Sequence, residues 1–127
     1  MREFTYHVPT EVVFGAGAAD QVSAYVEKYG GSRVLVVYGL GSARKSGLLD
    51  RICKQLREHG LAVETLGGVQ PNPRVALARE GIRKAMDGKS DFILAIGGGS
   101  TIDTAKAIAH GAVNLEKDIW RDIWLKP

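Results

Sequence analysis

The chain has 127 residues, 45% hydrophobic and 24% charged, with 17 basic against 14 acidic residues and a net charge of +3. That is the size and make-up of one soluble domain with a real core. Scattered basic residues argue against a nucleic-acid partner, no stretch approaches the ~18 apolar residues of a membrane span, and no signal peptide precedes the first strand-like segment.

In chain order, residues 4–8 and 11–14 read as two short strands around Pro9-Thr10. Residues 18–29 are predicted helical, with Ala19, Val22, Tyr25, Val26 and Tyr29 on one side, and Gly30-Gly31 ends them. Residues 33–38 are a continuous Val/Leu run, a strand of the kind buried on both faces. Residues 46–59 form a helix closed by Gly60, with Leu48, Leu49, Ile52, Cys53 and Leu56 sharing a face. Cys53 is therefore a core filler rather than a nucleophile. A single cysteine forms no internal disulfide, which favours a reducing, cytoplasmic setting.

Residues 62–66 are a strand, Pro71-Asn72-Pro73 a fixed loop, and residues 74–87 a helix with Val75, Ala78, Ile82 and Ala85 inward. Residues 92–96 are the next strand. Residues 101–113 are the last clear helix, with Ile102, Ala105, Ile108, Ala109 and Ala112 at helical spacing. The tail at 118–125 carries Trp120 and Trp124, which either pack against something or stay exposed. Alternating strands and helices predict an α/β, Rossmann-like fold: a mostly parallel sheet with helices on both faces.

Between the last strand and helix stand Gly97, Gly98 and Gly99. Strand, glycine turn and helix N-terminus in that order make a phosphate site: free N–H groups and the helix dipole point at one spot, and missing Cβ atoms let an anion approach. A tight turn alone would also use three glycines. Ser100 or Thr101 can cap the helix. Asp103 can accept from a sugar hydroxyl or simply favour the helix N-terminus, and Lys106 can pair with it at i, i+3. A second cluster, Tyr38-Gly39-Leu40-Gly41-Ser42-Ala43-Arg44-Lys45, follows the Val/Leu strand. It lacks the third glycine of a dinucleotide fingerprint. No acid lies between Val36 and Lys45 to meet a ribose 2′-OH, while Ser42, Arg44 and Lys45 can donate, a pattern that favours NADP(H) over NAD(H).

The run from Gly97 through Ser100, Thr101 and Asp103 to Ala109 resembles the pyrophosphate signature of the iron-containing (group III) alcohol dehydrogenases. Pro9–Ala18, Arg33–Gly39, Lys45–Asp50 and Gly68–Pro73 agree with that family and stand in its order. The likeness spans about Phe4 to Trp120 and is nearest the NADPH-dependent aldehyde reductase and butanol dehydrogenase branch, which shares Tyr-Gly-x-Gly-Ser. The resemblance implies a two-domain, homo-oligomeric enzyme roughly three times this long. Its helical second domain would hold a divalent metal, iron or zinc, through an Asp and three His. That domain is absent from this chain, and His7, His59 and His110 lie too far apart in sequence to replace it.

Residues 1–127 are thus expected to be the dinucleotide-binding domain, with about 114–127 starting the connection to the second. The cofactor-binding residues are expected to be Gly39, Gly41, Ser42, Asn72, Gly97, Gly98, Gly99, Ser100, Thr101 and Asp103, of which Asn72 rests on the resemblance. No catalytic or metal-binding residue is assigned. In the full protein, hydride would pass between NADP(H) and a small alcohol or aldehyde; the fragment alone is expected to be inactive. Two other readings stand: a two-domain relative acting on a polyol or sugar phosphate, and a nucleotide-binding module without catalysis.

Overall fold

The computed structural model describes residues 3, 5–71 and 74–125, without the side chains of Ser42, Ile123 and Trp124. A 3-10 turn, Ala18–Gln21, leads into helix α1, Val22–Lys28. Strand β1 is Arg33–Gly39, followed by a one-turn helix α2, Ser42–Lys45, and helix α3, Leu48–Glu58. Strand β2, Ala62–Val69, leads to helix α4, Val75–Asp87. Strand β3 is Phe92–Ile96 and helix α5 is Gly99–Ala112. A short π-helical segment, Ile119–Trp124, closes the described chain.

The sheet is parallel, in the order β2-β1-β3. Side chains on a strand alternate between faces, so the Val/Leu run of β1 feeds two cores at once. Val34 and Val36 pack with Val26 of α1 and with Leu49, Ile52, Cys53 and Leu56 of α3. Leu35 and Val37 pack on the other face with Ala85 of α4 and with Ala105 and Ile108 of α5. Buried Cys53 belongs to the first core, and burial pushes its thiol pKa up, as an inert core thiol requires.

Two sequence expectations need correction. Residues 5–14 form no strand among the described residues; Tyr6 and Val12 are largely exposed and Phe14 fully so. Apolar alternation makes a strand only where an edge supplies backbone partners, and residues 5–14 make no backbone hydrogen bond to the rest of the described chain. Helix α5 begins at Gly99, two residues before the predicted start, with Gly98 at its N-cap and no side-chain cap. Ser100 and Thr101 therefore lie inside the helix and do not cap it. Ile102 and Ala109 of that helix are exposed, while Ala105 and Ile108 carry its buried stripe. Asp103 and Lys106 form no ion pair with each other or with any described residue.

Helices α4 and α5 meet through paired glycines. A Cβ at Gly81 would lie 2.2 Å from Ile108 Cδ1, and one at Gly111 would lie 2.2 Å from Ile82 Cδ1. Each helix thus offers a bare backbone patch to an isoleucine of the other. Beyond them, Ile119 is buried with Ala78 and Ala107, so the tail docks by this residue. Asp118 fixes it in place. Its carboxylate accepts from the Trp120 and Arg121 N–H groups at 3.1 and 3.0 Å and from Arg79 Nη2 at 2.8 Å.

The N-terminal ends of β1 and β3 are laced by Asp91. Its carboxylate accepts from the backbone N–H groups of Ser32 and Arg33, both at 2.8 Å, and from the Ser32 hydroxyl. Partial burial raises the Asp91 pKa, but the Ser32 and Arg33 hydrogen bonds outweigh it and hold the carboxyl below the usual range. Stabilisation from such a lowered pKa is present above the unfolded value of about 3.9 and fades as pH falls through the folded one. Asp91→Ala should therefore cost about 1 kcal/mol at neutral pH, since water can replace part of this exposed clasp. Urea unfolding at pH 7 and at successively lower pH should show the wild-type advantage at the first and its decline as pH falls below the usual carboxylate range.

Candidate functional site

The chain leaves β1 for β2 on one side and returns past β1 to reach β3 on the other. The order reverses at β1, and in open α/β sheets the crevice outside the carboxyl ends at such a point is where ligands bind. Both glycine clusters lie there, at the ends of the adjacent strands β1 and β3.

Thr101 brings the two loops together. It is buried, at 4% exposure, in the first turn of α5. A Cβ at Gly97 would come within 2.5 Å of Thr101 Oγ1, and one at Gly39 within 3.4 Å of the same oxygen. Gly97 therefore lets the β3–α5 turn close over Thr101, and Gly39 ends β1 against the same side chain. Thr101, one of the expected cofactor-binding residues, lies buried between the two loops.

Gly98 and Gly99 have a different reason to lack side chains. A Cβ at either would meet nothing within 4 Å. Gly98 has φ −85°, a backbone that any residue adopts, so its bareness is not demanded by the turn. The space in front of it is clear for something else. The Gly98 carbonyl accepts from the N–H groups of Thr101 and Ile102 at 3.0 and 3.1 Å. The first two N–H groups of α5, those of Gly99 and Ser100, have no backbone acceptor among the described residues and point out of the helix end. Helix N-terminus, two free donors and two cleared Cβ positions fit an anion of pyrophosphate size.

Asp103 is exposed on the next turn and borders a cleft of about 500 Å³ together with Arg74, Lys106 and Trp120. Ser100 is half-buried, and its carbonyl accepts from the Thr104 hydroxyl at 2.8 Å. At the β1 loop, a Cβ at Gly41 would have open space. Ser42 starts α2, and the Arg44 guanidinium lies 5.9 Å from the centre of the Tyr38 ring, within cation–π range. The Tyr38 ring in turn fills the place of a side chain at Gly67, whose Cβ would stand 2.5 Å from it. Sequence reading missed this Arg44–Tyr38–Gly67 stack; the Leu66-Gly67-Gly68 spacing was its one signal. Asn72 lies outside the described residues.

No group of three or more His, Cys, Asp or Glu side chains that could hold a metal ion occurs among the described residues. His59 instead faces Glu27, 3.4 Å away. Among the described residues the N-terminus of α5 thus offers free donors to an anion, and no side-chain cluster fits a metal ion. No described helix is long and apolar enough to cross a membrane.

The family profile for iron-containing alcohol dehydrogenases matches residues 9–126. The chain is 45% identical over 126 residues to a probable NADH-dependent butanol dehydrogenase 2 of Bacillus subtilis, covering 99% of this chain and 32% of that protein. It is 37% identical to the NADPH-dependent aldehyde reductase YqhD of Escherichia coli, over 88% of this chain and 28% of the relative. Its fold matches the crystal structure of an NADH-dependent butanol dehydrogenase A from Thermotoga maritima with a TM-score of 0.89 at 38% identity, over 94% of this chain and 30% of that one. The chain thus spans under a third of the length of these relatives, and the rest of their length has no counterpart in its 127 residues. The glycine loops, the parallel sheet and the matched profile agree: this chain belongs to the iron-containing alcohol dehydrogenase family.

Proposed function

We propose that residues 1–127 are the dinucleotide-binding domain of an alcohol dehydrogenase or aldehyde reductase, with residues 114–127 starting the connection to a second domain. The observation that carries this reading is the meeting of the Gly39 and Gly97 loops over Thr101 at the sheet's switch point, with the Gly99 and Ser100 N–H groups free. The pyrophosphate would lie on Gly97, Gly98, Gly99 and Ser100, with Asp103 accepting from a sugar hydroxyl. Gly39, Gly41, Ser42 and Asn72 would face the adenosine end. When bound, the nicotinamide supplies hydride exchange with a small alcohol or aldehyde carbon. This chain's part is to bind and orient the cofactor. The metal that gives the family its name would need ligands from elsewhere in a cytoplasmic, homo-oligomeric full-length protein, and the 127-residue chain alone would not turn over.

The loop chemistry favours NADP(H) over NAD(H). No carboxylate stands between Val36 and Lys45, and Arg44 is placed beside the loop by the Tyr38 ring. Relatives named for NADH and relatives named for NADPH are both similar to this chain, so the preference rests on the loop. A Cβ at Gly39 makes only ordinary contacts, so Gly39→Asp should fold. It should weaken NADPH by about tenfold, roughly 1.4 kcal/mol, through charge repulsion and leave NADH equal or tighter. Calorimetric titration of both cofactors into both proteins tests this. Failure of wild type to bind either cofactor defeats the site; equal affinities, or tighter NADH, defeat the preference alone.

A further inference from the structure

Tyr38 is a point at which three elements meet. It stands near the carboxyl end of β1, half-buried against the first core. Its ring fills the space beside Gly67 of β2. A Cβ at Gly67 would lie 2.5 Å from Tyr38 Cζ, 2.6 Å from its hydroxyl oxygen and 2.7 Å from Cε2. Gly67 is not among the glycines with positive φ, so its backbone does not call for glycine. The ring does. From α2, the Arg44 guanidinium lies over the same ring, 5.9 Å from its centre. Ala43, buried in the first core, plants that short helix against the sheet.

Arg44 forms no ion pair with a carboxylate among the described residues. A ring can hold a guanidinium in place and leave its fork of N–H donors to an oxyanion, a fork that a carboxylate partner would occupy. At the adenosine end of a nicotinamide dinucleotide, the group that calls for such a cation is the 2′-phosphate, which NADP(H) carries and NAD(H) lacks.

We infer that Gly67 and Tyr38 are positioning residues for cofactor choice: the gap at Gly67 seats the Tyr38 ring, and the ring sets the Arg44 guanidinium to bind the 2′-phosphate of NADP(H). This rests on the proposal that the β1 loop takes the adenosine end of a dinucleotide. It adds that the choice is governed from β2, a strand with no residue in the expected cofactor-binding set. A methyl at position 67 would push the ring tip aside rather than the backbone, because the three nearest atoms all belong to the far end of that one side chain.

The test is calorimetric titration of NADPH, NADH and adenosine 2′,5′-bisphosphate into wild type and variants. Gly67→Ala should weaken NADPH and the bisphosphate about tenfold and leave NADH within about twofold, the size expected when a charge-assisted contact is lost. Tyr38→Leu, which removes the ring without adding an atom at 67, should do the same, and Tyr38→Phe, which keeps the ring, should retain the wild-type ratio of affinities. Arg44→Gln should show the full loss, and adding Gly67→Ala to it should cost nothing more, since both changes remove one interaction. Additive losses in that double variant would overturn the relay. So would an equal fall of NADPH and NADH in Gly67→Ala and Tyr38→Leu, which would make the stack a support of the fold. Wild type that binds both cofactors, with a ratio that Arg44→Gln does not alter, would overturn this inference alone. Wild type that binds neither would defeat the dinucleotide reading and this inference with it.

Discussion

Gly98→Val should abolish dinucleotide binding while leaving the fold intact. The valine Cβ and methyl groups would enter a space that holds no protein atom within 4 Å, directly before the free N–H groups of Gly99 and Ser100. At φ −85° the backbone accepts the new residue without strain, so the thermal midpoint should move by less than 2 °C, the size expected of a ~0.5 kcal/mol change. Affinity for NADPH and NADH should both fall by at least a hundredfold, about 2.7 kcal/mol, because a side chain cannot share the place of a pyrophosphate. The control is Ile96→Asp, two residues earlier at a buried position, which should unfold the chain. Normal cofactor affinity in Gly98→Val would reduce the triple-glycine loop to a turn. An unfolded Gly98→Val would mean the loop's bareness serves the fold.

A large effect on stability is expected at Gly81. A glycine inside a helix ordinarily costs about 1 kcal/mol relative to alanine, so an exposed one is a target for improvement. Here the added carbon would stand 2.2 Å from Ile108 Cδ1 and 2.9 Å from Leu66 Cδ2, in the core between α4, α5 and the sheet. Gly81→Val should therefore destabilise by about 3 kcal/mol, enough to lower the melting temperature by roughly 10 °C in a domain this size. Combined with Ile108→Ala, it should recover part of the loss, because the two side chains compete for one space. Strictly additive losses in the double variant would show that α4 and α5 are held apart by something other than this pair.

Where a pattern was both periodic and bounded by local chemistry, the chain could be read directly. Strand β3 occupies residues 92–96 as expected, between Asp91 and Gly97. Helix α3 stops before Gly60, whose φ of 78° suits glycine. Features that depend on a partner were not legible. Residues 5–14 have the alternation of strands but no edge to join. Ser100 and Thr101 look like caps, yet the helix starts before them because Gly98 takes the N-cap place. Strand β2 runs on to Val69 through a register shift opposite Val37–Gly39 that no local propensity signals. The candidate site divides the same way. Both glycine loops are visible in the sequence, since missing side chains leave a mark there. Their meeting over Thr101 is a distance between β1 and β3, which only the strand order supplies.

Asp91 stitches the sheet at one end, and among the described residues no comparable side-chain clasp joins β1 to β3 at the end where the glycine loops sit. This asymmetry splits the labour of folding from that of binding. Without such a clasp, the loop end can breathe locally while the stitched end keeps the strands in register. A dinucleotide laid across Gly39 and Gly97 would then act as the missing stitch, drawing together two segments already poised side by side. Binding would order a few loop residues rather than a domain, so little affinity would be spent on organisation.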